Sequence, residues 1–212
     1  MAQQKINCNI TIGFSTTRLL SSRIIRWATG SSCSHAFIAF DDSSLKMRMV
    51  MQAESWGFEL RPWDRWIRHN TLVAEFRPVG PPLEGALQQL SKWLGTKFDY
   101  RSAFIIGLKS LVLSWSRNRF TLNLNQSPWK LTCSEAVLRL LKLGAYPSMK
   151  RRDPETTSPG ALLKILMEST GEFKADYLKI RYLQFDRMLR INRKDYNKSV
   201  FAFNKRRPVG GK

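Results

Sequence analysis

The sequence predicts an α+β fold in which an antiparallel sheet packs against helices. Strand-like segments occupy the chain up to residue 77, and the first of them alternates apolar and polar side chains. From residue 83 onward, apolar residues recur at helical spacing instead. Hydrophobic residues make up 43% of the 212 residues, and the chain has seven tryptophans, so it can bury a sizeable core.

Four strands are predicted in this first section. Residues 9–14 alternate as a half-buried strand does, and residues 34–40 form the next strand. The polar run Asp41-Asp42-Ser43-Ser44 is the turn after it, with residues 48–55 following at hairpin distance. Residues 71–77 form the last strand and end before a proline.

Helices are predicted between and after these strands. The first is capped by Thr16 or Thr17 and stopped by Gly30. Three more helices are predicted, at residues 83–94, 132–143 and 161–168. Gly95 follows the first of these, and Gly144 ends the second. Residues 101–115 are interpreted as an apolar helix, and residues 116–128 as a basic loop.

The formal net charge of +19 is the strongest bulk feature of the chain. Such an excess favours contact with polyanions, namely nucleic acid, an anionic membrane or an acidic wall polymer. A solvated basic surface that binds nothing specific is the alternative. The sequence shows no recognised nucleic-acid motif that would read bases.

The three cysteines, Cys8, Cys33 and Cys133, are an odd number without metal-ligand spacing, which argues against a secreted disulfide framework. We therefore expect no metal and no cofactor. Neither a signal peptide nor an apolar run of about 18 residues is found, so synthesis in the cytosol is expected.

The strongest local motif surrounds Cys133. Thr132 and Glu135 have the spacing of a capping box, which places Cys133 at the first position of a helix. There the helix dipole favours a thiolate, and free backbone N–H groups can bind an oxyanion. The alternative is a small buried cysteine that faces the core together with Val137 and Leu140.

His35 and the acceptors on the following strand are the candidate partners of this thiol. His35 lies within the second predicted strand, where a buried core histidine is the alternative interpretation. Glu54 ends the third strand and could face the imidazole, with Gln52 on the same strand face as the second choice. A strand-end carboxylate in water is the other interpretation of Glu54. His69 lies in a polar turn and is expected at the surface.

These pieces resemble the circularly permuted branch of the NlpC-type papain-like cysteine peptidases and amidases, in which the histidine strand precedes the cysteine helix. The matching segments occur in that order: Ser34-His35-Ala36-Phe37-Ile38, Gln52-Ala53-Glu54, Gly57-Phe58-Glu59-Leu60, Leu94-Gly95-Thr96-Lys97-Phe98-Asp99-Tyr100, Thr132-Cys133-Ser134-Glu135 and Thr157-Ser158-Pro159-Gly160. The chain departs from the family pattern in a longer stretch between Tyr100 and Cys133, and in lacking an N-terminal glycine-aspartate turn.

The resemblance implies a permuted papain-like domain over residues 1–168. It implies that Cys133 is the nucleophile, His35 the general base, Glu54 the polar third member and Tyr100 a substrate-binding residue. The implied reaction is cleavage of a peptide-like amide, such as one in cell-wall peptide, through a thioester. Hydrolysis or transfer of lipid acyl groups is the alternative chemistry. A non-catalytic assembly protein, for instance a viral structural component incorporated into a virion, is the alternative of another class.

Residues 169–212 are expected to be a basic helical extension with a flexible tail. Leu178, Tyr182, Phe185 and Leu189 suggest one helix with an apolar stripe. The basic run at residues 205–212 could contact a polyanion or an assembly partner protein. Binding of nucleic acid through this surface is a third functional hypothesis, and it predicts affinity that falls steeply with salt.

Overall fold

The structure is a computed structural model that describes residues 9–99 and 130–179, and its architecture is α+β as predicted. The strands are β1 (Thr11–Thr16), β2 (His35–Asp42), β3 (Met47–Glu54), β4 (Gly57–Pro62), β5 (Thr71–Pro78), β6 (Lys97–Phe98), β7 (Lys130–Leu131) and β8 (Phe173–Leu178). The α-helices are α1 (Leu20–Thr29), α2 (Trp63–Trp66), α3 (Glu84–Ser91), α4 (Cys133–Leu143) and α5 (Pro159–Glu168). A 3₁₀ turn covers Pro147–Met149.

Six strands form one antiparallel sheet in the order β4-β3-β2-β1-β5-β8. Its central strand β2 pairs with β1 in a register that sets Ile12 opposite Ile38, and with β3 in a register that sets Ile38 opposite Met51. The short strands β6 and β7 pair in parallel beside it. On the other side of β1 lies β5, which is distant from it in sequence and pairs with it antiparallel.

The main core lies between one face of the sheet and the helices. Ile38 and Met51 from the sheet and Val137 and Leu140 from α4 are among its buried members. Side chains alternate between faces along a strand, so Phe37 points to the opposite side from Ile38. There Phe37, together with Trp66 of α2 and other residues, forms a second, smaller apolar cluster.

The second cluster depends on a glycine in β1. A Cβ atom on Gly13 would lie 1.9 Å from the Phe37 ring, so the ring packs directly over the Gly13 backbone. This close approach brings Phe37 within 4.3 Å, centroid to centroid, of the Trp66 ring. Only glycine leaves room for this packing between the two aromatic residues and the sheet.

Within the described residues up to 168, the predicted strands and helices are present, with corrections at their ends. Helix α1 begins at Leu20, and Leu19 precedes it without a side-chain cap, so the predicted cap at Thr16 or Thr17 is wrong. Thr16 instead continues β1, and its hydroxyl bonds Ser22. Gly30 ends α1 in the left-handed conformation, as predicted.

Three further boundaries differ from those predicted. Residues 57–62, for which no strand was predicted, form β4 because they pair with residues 49–54 of β3. Helix α3 stops at Ser91, and Gly95 with its positive φ of 87° belongs to the turn that follows. Helix α5 starts two residues earlier than predicted because Ser158 caps it, with Pro159 at the first helical position.

The sheet extends beyond the predicted domain boundary at residue 168. Residues 173–178 form β8, which pairs antiparallel with β5, so Leu178 ends a strand rather than starting a helix. One compact unit accordingly spans Met1–Ile180. The remainder of the predicted extension, the tail, and the predicted helix and loop at residues 101–128 lie outside the described residues. Within the described ranges, no helix is both long and apolar enough to cross a bilayer.

Candidate active site

The N-terminus of α4 carries Cys133 in the predicted arrangement. Thr132 is the N-cap, and its hydroxyl accepts a hydrogen bond from the Glu135 N–H at 3.3 Å. The Glu135 carboxylate accepts in return from the Thr132 N–H at 3.2 Å, so the predicted capping box is confirmed. Arg139 donates two hydrogen bonds to the same carboxylate, at 2.9 and 2.7 Å, which holds it in place. Cys133 is therefore fixed as the first helical residue.

A second contact ties this helix start to the rest of the core. The Ser134 hydroxyl donates a 2.6 Å hydrogen bond to the Thr157 carbonyl, just before the Ser158 cap of α5. The two helix N-termini are thus joined by one buried side chain. This contact restrains the position of the neighbouring Cys133 independently of the capping box.

His35 is the first residue of β2, and the fold brings it to Cys133. The imidazole and the thiol lie close enough for the charge of each to shift the pKa of the other. Burial lowers the pKa of His35, but the charge and hydrogen bond of Cys133 outweigh it, with help from the Glu54 charge and the Gln52 hydrogen bond. The net effect is a pKa of His35 above its ordinary value.

The thiol responds in the opposite direction. Burial raises the pKa of Cys133, but the charge and hydrogen bond of His35 and the backbone amides of Ala36 and Ser134 outweigh it. The pKa of Cys133 is consequently below that of an ordinary thiol. A raised imidazole pKa and a lowered thiol pKa together favour a thiolate-imidazolium ion pair.

Gln52 on β3 orients the imidazole. Its Oε1 atom lies 3.0 Å from His35 Nε2 and also accepts a 2.7 Å hydrogen bond from the Trp66 indole N–H. The Gln52 amide nitrogen donates to Glu59 at 3.2 Å, which fixes which end of the amide faces the ring. Since Oε1 can only accept, Nε2 carries a proton, and Nδ1 is the nitrogen left to face Cys133.

Glu54, the predicted third member of the site, lies at the end of β3. Its carboxylate is 3.9 Å from Arg61, and it acts on His35 through its charge. Gln52, the second choice from the sequence, makes the hydrogen bond to the ring instead. Tyr100, the predicted substrate-binding residue, lies outside the described residues, and His69 is exposed as predicted.

Cys33 lies near this site but has the opposite character. It is fully buried, and its thiol is 3.3 Å from the Ser31 hydroxyl. Burial raises the pKa of Cys33 to about 12, with a smaller contribution from the charge of Cys133. The thiol of Cys33 therefore stays protonated at neutral pH, which separates the two cysteines chemically.

Trp66 and Glu59 are site residues that the sequence analysis missed. Trp66 contacts Gln52 from α2, fourteen positions along the chain, and Glu59 does so from β4. Glu59 could have been found by predicting the β3–β4 hairpin, because that pairing places Glu59 directly opposite Gln52. A tryptophan at the end of a four-residue helix gives no comparable signal, because its direction depends on tertiary packing.

No protein-family model and no curated protein sequence matches this chain. Its chemistry must therefore be inferred from the side-chain geometry. Within residues 9–99 and 130–179, the histidine, cysteine and acidic side chains form no group of three or more that could hold a metal ion. What the site does offer is a thiol at a helix N-terminus, an imidazole and an amide that orients it.

Proposed function

We propose that the protein is a thiol hydrolase with a permuted papain-like fold that cleaves a peptide-like amide, such as one in cell-wall peptide. The observation that carries the proposal is the pairing of Cys133, at a capped helix N-terminus, with an imidazole held by Gln52. The chain order supports the permuted fold, since the histidine strand β2 precedes the cysteine helix α4. A six-stranded antiparallel sheet with α4 packed on its central strand is compatible with that architecture.

The reaction starts from the thiolate-imidazolium pair. The Cys133 thiolate attacks the amide carbonyl and forms a tetrahedral intermediate whose oxyanion accepts hydrogen bonds from backbone amides of the first turn of α4. The Cys133 N–H is suited to this role because the first N–H groups of a helix lack intrahelical acceptors. His35 gives its proton to the leaving nitrogen, the C–N bond breaks, and a thioester remains.

Water completes the cycle. His35, now neutral, takes a proton from a water molecule, and the resulting hydroxide attacks the thioester carbonyl. The C–S bond breaks, the acyl group leaves as a carboxylic acid, and the thiolate returns to its place beside the imidazolium. Gln52 serves both steps by keeping the Nδ1 atom directed at the sulfur while Nε2 stays protonated.

The first test is alkylation of Cys133 by iodoacetamide as a function of pH. Because the pKa of Cys133 is lowered, the rate should stay high well below about pH 8.5, the ordinary thiol value. His35→Ala should move the reactivity toward that ordinary value. Cys33 serves as an internal control, since its thiol should remain unmodified in the folded protein. Slow, ordinary reactivity of Cys133 that His35→Ala leaves unchanged would overturn the dyad and favour a non-catalytic assembly protein.

The second test concerns the substrate. Purified protein is incubated with cell-wall peptides and, separately, with acyl esters, and new amine termini or free acids are quantified. We expect amine release from the peptides, with Cys133→Ala inactive. Cleavage confined to the acyl esters would replace the proposed amide substrate by a lipid acyl group while keeping the same thiol chemistry.

A further inference from the structure

Helix α1 presents its apolar side to solvent. Leu20, Ile24 and Trp27 are spaced four and three residues apart, so they form one stripe along the helix. Their exposed fractions are 68%, 52% and 72%. Leu19, just before the helix, is exposed as well. Surface helices of globular proteins normally turn such a stripe toward the core.

The polar side of the same helix faces inward. Ser22 is buried, and its hydroxyl lies 2.9 Å from the Thr16 hydroxyl and 2.5 Å from the Ser34 hydroxyl. These hydrogen bonds anchor α1 to the end of β1 and to the residue before His35. The outward direction of the stripe is thus fixed by contacts on the opposite side of the helix.

The charged residues that neighbour the stripe in sequence are all basic. Arg18 and Arg23 are exposed beside it, and Arg26 is half-buried one turn further on. No acidic residue occurs between Asn9 and Phe40. A surface that combines exposed leucine, isoleucine and tryptophan with arginine side chains fits a partner that is both apolar and anionic.

The stripe is at the end of the sheet that holds the candidate active site. Residues 30–34 connect α1 to His35, and β3 ends with Glu54 where β2 begins. The β3–β4 turn at that end carries Trp56, the most exposed large apolar residue of the described chain. Tryptophan is the residue type that favours the boundary between lipid headgroups and acyl chains.

We propose that α1 is an interfacial helix that docks the protein on an anionic lipid bilayer. The stripe would enter the boundary between headgroups and acyl chains, with the helix in the plane of the surface. Arg18 and Arg23, both exposed, would meet the lipid phosphates. The active-site end would then face the membrane. The proposal stands on the helix surface alone and does not require Cys133 to be catalytic.

Charge argues against the other occupants of the stripe. Residues 100–129 contain basic residues and no acidic ones, and residues 180–212 are strongly basic. A second copy of the chain brings the same net charge of +19. Each of these would place like charges against the arginines of α1, whereas a bilayer rich in anionic headgroups neutralises them.

The test is binding of the full chain to vesicles of phosphatidylcholine mixed with phosphatidylglycerol, measured by co-sedimentation. Vesicles of phosphatidylcholine alone serve as the reference. We expect binding to the mixed vesicles, and a loss of affinity of about tenfold or more in Ile24→Ser/Trp27→Ser. Leu45→Ser is the matched control, since Leu45 is 56% exposed in the β2–β3 turn, at the other end of the sheet. Its affinity should equal that of the wild type.

Either of two vesicle results would overturn the proposal. One is failure of the wild type to bind the mixed vesicles. The other is equal binding by Ile24→Ser/Trp27→Ser and the wild type, abolished in both by high salt, which would mean that charge alone holds the chain on the surface. Light scattering adds a check, because a dimer of the wild type that the double variant dissociates would make a second copy the occupant. Cys133→Ala should bind as the wild type does, which separates docking from chemistry.

Discussion

At the scale of single residues, the Oε1 atom of Gln52 accepts from both His35 and the indole of Trp66. An acceptor held in this way restricts the rotation of the imidazole, because the ring must keep Nε2 at that one oxygen. The Glu54 carboxylate acts on the same ring by charge. The two groups therefore have separable effects, one on the orientation of the ring and one on its pKa.

We predict that Gln52→Ala lowers the rate of Cys133 alkylation at neutral pH by at least about tenfold, a part of the roughly 10²–10⁴ that a positioned acid–base group contributes. Gln52→Glu should restore only part of the rate, because its carboxylate accepts from the same two donors but loses the hydrogen bond to Glu59 and faces that carboxylate. Glu54→Gln should change the rate less, since no ring contact is lost. Thermal unfolding of each variant separates a change at the site from a loss of the fold. An equal effect of Gln52→Ala and Glu54→Gln would contradict the assignment.

The pKa shifts of the pair predict a bell-shaped pH dependence of kcat/KM. Activity should fall at low pH as Cys133 becomes protonated, and the lowered pKa of the thiol places this limb below about 8.5. It should fall again at high pH as the imidazolium of His35 loses its proton, and the raised pKa places that limb above about 6.5. Initial rates across the pH range, with Cys133→Ala as the blank, give both limbs. A profile that rises steadily with pH would show an ordinary thiol.

The sequence was informative at this scale wherever a motif is local. The spacing of Thr132 and Glu135 was enough to predict the capping box and the position of Cys133, because both contacts close within one turn. The choice between Gln52 and Glu54 could not be made in the same way. Both share a strand face, and only the position of Trp66 in the folded chain shows which acceptor meets the ring.

At the scale of elements, α4 and α5 offer a matched pair of helix caps. Thr132 accepts from the Glu135 N–H, and Ser158 accepts from the Ala161 N–H at 3.2 Å. Each hydroxyl satisfies one of the free N–H groups of its helix. Only the first of them positions the candidate nucleophile.

We predict that Thr132→Ala and Ser158→Ala each destabilise the fold by about 1 kcal/mol. A loss of that size lowers the Tm of a chain of this length by roughly 2–4 °C. Thr132→Ala should also slow the alkylation of Cys133, because the start of α4 frays. Ser158→Ala should leave the alkylation rate unchanged. Calorimetry and alkylation kinetics on the two variants provide the comparison, and an equal loss of rate in both would mean that the cap does not position the thiol.

Helix α1 shows why element faces are harder to predict than elements. Its apolar period was visible in the sequence, and Gly30 was correctly predicted as its end. The period does not say whether the stripe faces the core or solvent. The hydrogen bonds of Ser22 decide this, and they join residues from three separate segments of the chain.

At the scale of the whole molecule, the sheet is completed by residues that are distant in sequence. Strand β5 lies between β1 and β8, so β8, the last strand described, forms one edge of the sheet. The sequence predicted β5 as a strand but placed the domain boundary before β8. The change of composition after residue 168 suggested that boundary, whereas the pairing with β5 depends on contacts about one hundred residues apart.

We predict that the chain truncated after residue 180 keeps a cooperative fold, whereas truncation after residue 168 removes β8 and destabilises it. Phe173 is buried and stacks on Tyr146 with ring centroids 5.2 Å apart. Its removal costs at least about 2 kcal/mol by area burial alone. A loss of that size lowers Tm by roughly 4–8 °C. Circular dichroism during heating compares the two truncated chains with the full chain.

Point variants in the full chain distinguish loss of β8 from a general effect of truncation. Phe173→Ala should destabilise the fold by about 3 kcal/mol, the lower end for a large buried aromatic residue. Lys174→Ala, on the same strand but exposed, should stay within about 0.5 kcal/mol of the wild type. If the chain ending at residue 168 and Phe173→Ala both melted like the full chain, β8 would be an accessory strand and the boundary at residue 168 would stand. The expected losses instead make residues 173–178 part of the same folding unit as the candidate site. The hydrogen-bonded pairing is continuous between the two, because β8 pairs with β5, β5 pairs with β1, and β1 pairs with β2 at His35.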